Sequence, residues 1–366
     1  MKVLFTTNTP AAYRVDFFNE LGKYCDLTVL FETEQDKSRD KKWTSEQYKT
    51  FKAIFLKGLN VGNAEAVCLE VLKYLNNDYD EIIVGAYYTP TARIAIEYMK
   101  WKHIPFVISS DGGFINRSES KAKYYIKKHY IGAADGWLST GKITTEYLKY
   151  YGAGDSKIWL YPFTSIKDGQ ILKQPVLKEE KNAIRNRLKM KEERICLSVG
   201  QFIYRKGFDL LLKAANEMCH TIGFYIIGGT PTKEYNDFVE QNNLSNVHFV
   251  GFMGKSELEK YYKAADLFVL PTREDIWGLV INEAMSCGLP VVTTDRCIAG
   301  LEMIDNGENG FIVPVDAVEE LKDAMEKILN NDIQRMSINA LEKARQYTIE
   351  KMALAHMECL KGMNKE

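Results

Sequence analysis

The sequence predicts an α/β protein built from two successive doubly wound lobes, and three observations lead to that prediction. The chain has 366 residues, which corresponds to about two domains of ordinary size. Short apolar runs alternate with segments of helical periodicity, as in parallel sheets covered by helices on both faces. The alternation weakens between residues 162 and 192 and then restarts, so the two lobes follow one another along the chain.

The first lobe is predicted from strands and helices in strict alternation. In order, beginning and ending with a strand, they are KVLFTTNTP, VDFFNELGKY, CDLTVLFE, NAEAVCLEVLKYL, YDEIIVGAYY, TPTARIAIEYMKWK, PFVISS, SKAKYYIKKHYIG and AADGWLSTG. The strand segments are rich in β-branched and aromatic residues, and the helical ones repeat apolar residues every three to four positions.

The second lobe shows the same alternation. Its predicted strands are ICLSVG, FYIIGG, VHFVG, DLFVLP, PVVTT and GFIVP. Its helices are expected to begin near Lys206, Lys233, Lys255, Gly278 and Val315. Before it, the charged stretch LKEEKNAIRNRLKMKEER predicts a connector followed by a solvated helix. We therefore expect a first lobe at 1–170, a connector at 171–192 and a second lobe at 193–345.

Composition excludes several classes of protein. The 48 lysines and arginines against 49 aspartates and glutamates give a net charge of -1, which argues against a nucleic-acid binder. The seven cysteines are scattered without a C-x-x-C spacing, so neither a disulfide framework nor a zinc site is predicted. With no apolar run long enough for a signal-peptide core or a membrane span, a cytoplasmic protein is expected.

The stretch SKAKYYIKKHY interleaves lysines with tyrosines. Such a helix can bind an anionic membrane surface from one side. The alternative is a solvated helix face whose lysine stems cover aromatic rings. We expect at most peripheral contact with a membrane, and no nucleic acid as a partner.

The most informative stretch follows the strand DLFVLP. A loop carries Glu274 and Asp275, and a helix is predicted to start near Gly278. Ligands of open parallel sheets lie at the carboxyl ends of the strands. The N–H groups of Gly278 and Leu279 would there face an anion, and Glu283 follows Asp275 by eight residues. The two carboxylates could bracket a molecule that carries hydroxyls.

This block resembles the signature of the retaining glycosyltransferases of group 1 (family 4), which have the GT-B fold. The signature is an acidic residue, seven intervening positions and a glutamate, followed by A-M-x-C-G-x-P-V, and the chain has D-I-W-G-L-V-I-N-E-A-M-S-C-G-L-P-V. The resemblance implies that Asp275 contacts hydroxyls of a donor hexose and that Glu283 contacts the nucleotide ribose. The family more often has Glu at the position of Asp275, so Glu274 is a possible substitute for the contact with the sugar. The family also usually has Phe where this chain has Trp277.

A second resemblance begins at SVGQFIYRKGFDLLLKA, which is similar to the family's V-G-R…K-G segment. The family's Arg and Lys hold the donor diphosphate. Lys206 matches the family's lysine, but Gln201 stands where the family has its arginine. We therefore expect Arg205, or Lys206 alone, to supply most of the positive charge that the missing arginine would have given. A cation is needed because the departing diphosphate gains negative charge as the bond to the anomeric carbon breaks.

Two glycine segments extend the resemblance along the second lobe. Gly228 and Gly229, in FYIIGGTP, would let the backbone approach nucleotide or phosphate. Gly251 and Phe252, which follow VHFV, are expected to flank the base.

The first lobe matches the family less well. Its loop SSDGGFIN follows the strand PFVISS, and Asp111 is the candidate for contact with the acceptor or for a base on the acceptor hydroxyl. The alternative for Asp111 is an Asx turn or a helix cap. Asp78 and Asp80 spell a D-x-D that binds metal in the GT-A fold, but they precede a strand and so lie at the wrong end of the sheet. No metal and no cofactor are expected.

The resemblance implies two Rossmann-like lobes that face each other across a cleft, an acceptor-binding first lobe, a nucleotide-sugar-binding second lobe and a helix at 346–366 that packs back on the first. It implies transfer of a hexose-type sugar from a UDP- or GDP-linked donor to a glycan or lipid-linked acceptor, with retention of configuration. The expected setting is bacterial surface polysaccharide or glycolipid synthesis at the inner face of the cell membrane. The alternatives are a non-catalytic nucleotide or sugar binder and a GT-B nucleotide-sugar epimerase.

Overall fold

The computed structural model describes residues 1–36, 47–76 and 78–363, and the chain divides into two compact units. The first unit combines Met1–Ser165 with Thr348–Glu366, and the second is Ile166–Tyr347. Residues 171–192, for which the sequence predicts a connector, lie in the second unit.

The first unit is organised around a parallel sheet. Its strands, together with a short hairpin formed by β4 and β5, are β1 (Lys2–Thr7), β2 (Asp26–Phe31), β3 (Lys52–Phe55), β4 (Leu59–Asn60), β5 (Ala66–Val67), β6 (Glu81–Val84), β7 (Val107–Ser110), β8 (Gly136–Ser139) and β9 (Ile158–Leu160). The sheet order is β3-β2-β1-β6-β7-β8-β9. The inner strand β1 pairs with β2 and β6, so that Phe5 lies between Val29 and Ile83.

The helices of the first unit begin where local chemistry favours a start. They are α1 (Ala12–Leu21), α2 (Pro90–Lys102), α3 (Lys121–Ile131) and α4 (Lys142–Tyr150). Helix α2 has proline at its first position, and the Thr89 hydroxyl accepts a hydrogen bond from the Ala92 N–H at 3.2 Å. The Ser120 hydroxyl caps α3 in the same way.

The helix predicted from NAEAVCLEVLKYL is wrong. The structure has strand β5 there, followed by a 3₁₀ turn at Leu69–Lys73. Partners distant in sequence bind the backbone donors that a helix would use: the Cys68 N–H donates to the Thr91 hydroxyl at 3.0 Å and the Ala66 N–H to the Glu32 carboxylate at 3.3 Å. Ala66 and Cys68 are buried at the spacing of a strand.

The second unit repeats the construction. Its strands are β10 (Arg194–Val199), β11 (Ile222–Ile227), β12 (Val247–Val250), β13 (Leu267–Leu270), β14 (Val291–Thr294) and β15 (Gly310–Val313), which confirms the strands predicted from the sequence. They form a parallel sheet in the order β12-β11-β10-β13-β14-β15. The order reverses between β10 and β13, and such a switch point is where open α/β sheets bind ligands.

Helices cover both faces of this sheet. They are α5 (Lys178–Leu188), α6 (Phe208–Glu217), α7 (Lys233–Gln241), α8 (Lys255–Ala264), α9 (Leu279–Ser286), α10 (Ile298–Met303), α11 (Val318–Leu329) and α12 (Ile333–Ala344). The core includes Phe208 of α6, Phe224 of β11, Val269 of β13 and Met325 of α11, all of which are buried. The helices at α10 and α12 were not predicted from the sequence.

The last helix, α13 (Ile349–Met363), packs against α1 in the first unit. His356 of α13 is fully buried, and its ring lies 4.4 Å from that of Tyr161 and 4.7 Å from that of Phe17, centroid to centroid. Its Nδ1–H donates to the Met352 carbonyl at 2.8 Å. Burial lowers the pKa of His356 to about 4, so the imidazole is neutral at neutral pH.

A buried carboxylate fastens α5 to the second sheet. Asp266 accepts hydrogen bonds from Lys181 at 3.0 Å, Arg185 at 2.7 Å and the Ile195 N–H at 2.8 Å. Burial opposes ionisation, but these two cations and the N–H lower the pKa of Asp266 below its ordinary value. The carboxylate is therefore charged and fully partnered.

We expect Asp266→Ala to destabilise the second unit by about 3–5 kcal/mol, because it leaves two cations facing a buried vacancy. The folded pKa of Asp266 is lowered, so this stabilisation is present above the unfolded pKa of about 3.9 and is lost as the pH falls through the folded value. Urea unfolding at neutral and acid pH measures both effects. Asp237→Ala, which breaks the exposed pair with Lys233, should cost at most about 0.5 kcal/mol, and equal costs would contradict the assignment.

Candidate active site

The loops that follow β10 and β13 meet at the switch point of the second sheet. Lys206 ends a 3₁₀ turn after β10, and Asp275 lies in the loop after β13. The Lys206 Nζ lies 2.5 Å from the Asp275 Oδ2, and the two side chains are 12% and 14% exposed. Two residues predicted separately from the sequence thus form one ion pair.

Arg205 adds a second positive charge beside this pair. Its Nη1 donates to the Glu274 carbonyl at 2.6 Å and lies 3.7 Å from the Asp275 Oδ1. The Arg205 side chain is more exposed than that of Lys206. The ammonium of Lys206 has three donors, one of which binds Asp275. The edge therefore carries two cations around one carboxylate.

Arg273, which the sequence analysis did not single out, fastens the two loops together. Its guanidinium donates to both carboxylate oxygens of Asp209, at 2.8 and 2.7 Å, and to the Tyr204 carbonyl at 2.8 Å. It also lies over the Tyr204 ring, 3.9 Å from the centroid, and pairs with Asp316. The bond to Asp209 raises the pKa of Arg273. The sequence offered one indication of this role, because Arg273 directly precedes Glu274 and Asp275 of the signature loop.

Close backbone contact requires glycine at Gly207 and Gly278. Gly207 has a φ of 69°, and a Cβ built there would lie 1.9 Å from the Pro271 carbonyl oxygen. Gly278 has a φ of 103°, and its Cβ would lie 2.7 Å from the Cys297 sulfur. Both positions combine left-handed backbone with a lack of space for a side chain. Gly207 thus lets the loop after β10 approach Pro271, directly after β13, and Gly278 lets the start of α9 approach Cys297.

Helix α9 begins at Leu279 with Gly278 as its N-cap. Gly278 has no side chain with which to cap this N-terminus. Helix N-termini carry partial positive charge and N–H groups without helical partners, which suits an anion. The predicted role of Gly278 and Leu279 is therefore compatible with the geometry of this helix.

Trp277 supports the loop from inside. Its indole is buried, and the ring N–H donates to the Asn282 Oδ1 at 2.8 Å. Its carbonyl accepts from the Ala299 N–H at 2.8 Å. The sequence predicts Trp277 among the donor-binding residues, and in the structure its buried side chain braces the start of α9 through Asn282.

Asp275, rather than Glu274, is the acid next to Lys206. The Glu274 carboxylate instead accepts from Arg296 Nη2 at 2.9 Å. The backbone of Asp275 is held on both sides, because its N–H donates to the Arg296 carbonyl and its carbonyl accepts from Ile298.

Glu283 lies in the second turn of α9 and is half-buried. Its Oε2 accepts a hydrogen bond from the Tyr262 hydroxyl of α8 at 3.0 Å. Burial and the neighbouring Glu283 raise the pKa of Tyr262 well above its usual value, so this phenol is a fixed donor. Tyr262 thus orients the Glu283 carboxylate. The sequence analysis did not predict this role of Tyr262, because no motif in the sequence connects α8 with α9.

The other predicted donor-binding residues follow β10, β11 and β12. Gln201 is exposed, and Phe252 also faces solvent. A Cβ at Gly228 would lie 2.1 Å from the Gly200 carbonyl oxygen, whereas no described atom lies within 4 Å of one built at Gly229 or Gly251. The loops after β10 and β12 are two strand spacings apart, about 10 Å.

Asp111 lies at the corresponding edge of the first sheet, directly after β7. Its carboxylate bonds to the guanidinium of Arg14 and lies 3.4 Å from the Tyr161 hydroxyl. Burial raises the pKa of Asp111, while Arg14 and Tyr161 oppose the rise. Arg14, from the first turn of α1, was not predicted, because its partner lies 97 residues away. The side chain of Asp111 thus pairs with side chains of two other elements.

The D-x-D motif lies where the sequence predicts, at the opposite edge of the first sheet. The Asp80 carboxylate accepts from the N–H of Lys2, the first residue of β1, at 2.7 Å. Across residues 1–36, 47–76 and 78–363, no group of three or more His, Cys, Asp or Glu side chains is arranged to hold a metal ion. Among the helices of the same ranges, none is both long and apolar enough to span a bilayer.

The known proteins that this chain resembles are glycosyltransferases. Residues 179–348 match the family model of glycosyl transferases group 1. An uncharacterized glycosyltransferase of Methanocaldococcus jannaschii is 30% identical over 173 residues, which cover 46% of each chain. The lipopolysaccharide glucosyltransferase WaaG of Escherichia coli is 25% identical over 250 residues, 66% of each chain. The aligned part thus spans about half of the first relative and two thirds of the second.

A solved structure covers the whole chain. Anabaena HepE in complex with UDP superposes with a TM-score of 0.79 at 16% identity, over 99% of this chain and 100% of that one. The likeness confirms the fold class predicted from the sequence.

We expect Gly207→Ala to destabilise the second unit by about 1–3 kcal/mol or more, because the new methyl group collides with the Pro271 carbonyl and φ is unfavourable for alanine. Thermal unfolding measures the change. Gly229→Ala is the matched control, since its Cβ meets open space, and it should leave the unfolding temperature nearly unchanged. A Gly207→Ala protein as stable as this control would disprove the close contact.

Proposed function

Since residues 179–348 match the family model of glycosyl transferases group 1 and the chain has the GT-B fold, we propose that the protein is a retaining glycosyltransferase. It transfers a hexose-type sugar from a nucleotide diphosphate sugar, UDP- or GDP-linked, to a glycan or lipid-linked acceptor. The observation that carries the proposal is the ion pair of Lys206 with Asp275 at the switch point of the second sheet. It joins the two segments that resemble the family's donor site.

The diphosphate of the donor would bind where positive charge is concentrated. Lys206 and Arg205 flank the start of α9, whose first N–H groups are available to an anion. Burial around Lys206 strengthens its interaction with a phosphate, because fewer water molecules screen the charge. These groups compensate for the glutamine at position 201.

The reaction breaks the bond between the anomeric carbon and the diphosphate oxygen and forms a bond from that carbon to the acceptor oxygen. The electron pair of the broken bond leaves with the nucleoside diphosphate, and the hydroxyl proton passes to a departing phosphate oxygen. Lys206, Arg205 and the α9 N-terminus would stabilise the developing charge. Retention follows when the acceptor attacks from the face that the diphosphate leaves.

The remaining candidates would orient the donor. Asp275 is fixed by Lys206 and by two backbone bonds, so its carboxylate can accept hydrogen bonds from sugar hydroxyls. Glu283, oriented by Tyr262, would bind the ribose. The exposed Phe252 and the open backbone at Gly229 and Gly251 leave room for the nucleotide.

The biological setting follows from relatives with printed functions. WaaG is a lipopolysaccharide glucosyltransferase, and HepE binds UDP in its solved structure. WaaG supports a role in bacterial surface glycan or glycolipid synthesis for this chain, and HepE supports a UDP-linked donor.

The outer surface of α2 and α3 supports peripheral contact with the inner face of the cell membrane. The exposed residues of this surface, which we call the α2–α3 surface, are Trp101, Lys102, Lys121, Lys123, Tyr125 and Lys128. His129 Nε2 of α3 lies 2.5 Å from the Glu97 Oε1 of α2, and this contact links the two helices. Lys127 lies over the Tyr151 ring, as in the alternative of lysine stems covering aromatic rings, but Trp101 and Tyr125 remain exposed.

Nucleotide binding is the direct test of the donor site. A nucleotide at 100 times its dissociation constant should stabilise the protein by about 2.7 kcal/mol, measured as a rise in unfolding temperature with UDP, GDP or ADP. We expect UDP or GDP to act and ADP to act least. No response to any of the three would refute the proposal.

We expect Lys206→Ala to lower the turnover of the responding donor by about 100-fold or more, since it removes a donor to the developing charge. Hydrolysis of UDP-glucose or GDP-mannose, followed by release of the nucleotide, measures the loss without a known acceptor. Lys213→Ala, an exposed lysine of α6, is the matched control and should turn over normally. Full activity of the Lys206→Ala variant would contradict the proposal that Lys206 binds the donor diphosphate.

Neutral variants of the α2–α3 surface test the membrane contact. Each lysine near an anionic surface contributes about 1 kcal/mol, so Lys121→Ala with Lys123→Ala should weaken binding to phosphatidylglycerol-containing vesicles about 30-fold. Co-sedimentation with vesicles measures the change, and pure phosphatidylcholine vesicles should bind little. Lys233→Ala with Lys260→Ala in the second unit is the control. Equal losses in both double variants would argue against a specific surface.

A further inference from the structure

The first sheet has a switch point of its own, between β1 and β6. The chain leaves β1 toward β2 and leaves β6 toward β7, on opposite sides of the junction. Ligands of open α/β sheets lie at such junctions. Arg14 follows β1 in the first turn of α1, Tyr88 follows β6, and Asp111 follows β7. The three residues therefore share one edge of the sheet.

Arg14 and Asp111 form a rigid pair at this edge. The Arg14 side chain is only 9% exposed, and the Asp111 side chain is 25% exposed. Tyr161 adds a second contact to Asp111 while it donates to the Ser110 carbonyl at 3.1 Å. Behind the pair, the ring of His356 packs on Tyr161. The buried side of the carboxylate is therefore fixed, and its remaining surface faces solvent.

The charges of this pair indicate what it can bind. The guanidinium of Arg14 is neutralised by Asp111, and an ionised carboxylate only accepts hydrogen bonds. In the described part of the chain, the phenols of Tyr88 and Tyr161, whose pKa values are raised, and the imidazole of His356, whose pKa is lowered, also act on the pair, and all three are uncharged at neutral pH. A hydroxyl can donate to Asp111, whereas a phosphate there would meet a negative charge.

Tyr88 supplies an apolar face next to the carboxylate. Its side chain is 49% exposed, and its ring stands edge-to-face against Tyr87 at 6.0 Å. Tyr87 is held in turn by a hydroxyl contact of 2.5 Å with Tyr147. Ligand sites typically combine an aromatic wall with a few fixed polar groups, and the C–H face of a sugar ring fits such a wall.

We propose that Arg14 is a positioning residue for the acceptor: it fixes Asp111 to accept a hydrogen bond from an uncharged hydroxyl of a sugar whose ring lies on Tyr88. This inference rests on the proposed function and specifies the chemical class of the acceptor group that binds the first unit. The acceptor group bound here is a neutral sugar and not a phosphate.

Saturation-transfer NMR on the full chain, with UDP present, provides the test. The probes are the methyl α-glycosides of glucose, galactose and N-acetylglucosamine, with glucose 6-phosphate as the charged comparison. We expect at least one neutral glycoside to bind at millimolar concentration and glucose 6-phosphate to bind at least about tenfold more weakly. Tighter binding of the phosphate, or no binding of any neutral glycoside, would overturn the proposal.

Variants separate positioning from mere support of the fold. Tyr88→Leu should weaken glycoside binding about tenfold, and Arg14→Met by a similar factor, with partial rescue in Arg14→Lys. Since Arg14 opposes the raised pKa of Asp111, Arg14→Met should also move the acid limit of glycoside binding to higher pH. The Tyr88 side chain is exposed, so we expect Tyr88→Leu to fold even if Arg14→Met does not. Unchanged glycoside binding by Tyr88→Leu would therefore refute the proposed site.

Stabilisation by UDP reports on the second unit and distinguishes the two proposals. If nucleotides stabilise the protein but Tyr88→Leu leaves glycoside binding unchanged, the inference about the acceptor is wrong and the proposed function stands. If no nucleotide stabilises the protein while glycosides bind normally, the proposed function is wrong.

Discussion

The second unit depends on a backbone contact between the loops after β10 and β13. Gly207 lies so close to the Pro271 carbonyl that no side chain fits. Arg273 then fastens the same loops through Asp209 and Tyr204. Because both constraints act on neighbouring residues, Lys206 is brought against Asp275 without freedom to separate. The charge distribution of the candidate donor site follows from this packing.

In each unit a cation that follows one switch-point strand, β10 or β1, pairs with a carboxylate at the same edge of the sheet. The carboxylate follows β13 in the second unit and β7 in the first, and the surroundings of the two pairs differ. In the second unit, Arg205 and the uncapped start of α9 add positive character around Lys206 and Asp275, which favours an anion. In the first, Arg14 is buried against Asp111 and tyrosines surround the pair, which favours a neutral hydroxyl. One architecture thus supports two kinds of proposed ligand because the neighbours of the ion pair differ.

Sequence patterns predicted all six strands of the second sheet and β1, β2, β6, β7 and β8 of the first, but they missed β3 and β9 and described the irregular segments poorly. A buried parallel strand such as β13 is a short apolar run, and nothing else in its neighbourhood competes with that pattern. The segment at 63–75 has helical periodicity, but Glu32 and Thr91 bind its backbone N–H groups and pull it into a strand and a short turn. Tertiary hydrogen bonds outweighed a local preference worth only tenths of a kcal/mol per residue.

The sequence by itself determined the fold class, and it showed the resemblance of the loop with Asp275 and Glu283, and of Lys206, to segments of the family's donor site. These depend on residues close together in the chain, where spacing carries the information. Only the tertiary structure decided that Trp277 is buried, that Arg273 holds the loops and that Arg14 pairs with Asp111. Those contacts join residues tens of positions apart, and they exist because the order of strands in each sheet brings separate loops to one edge.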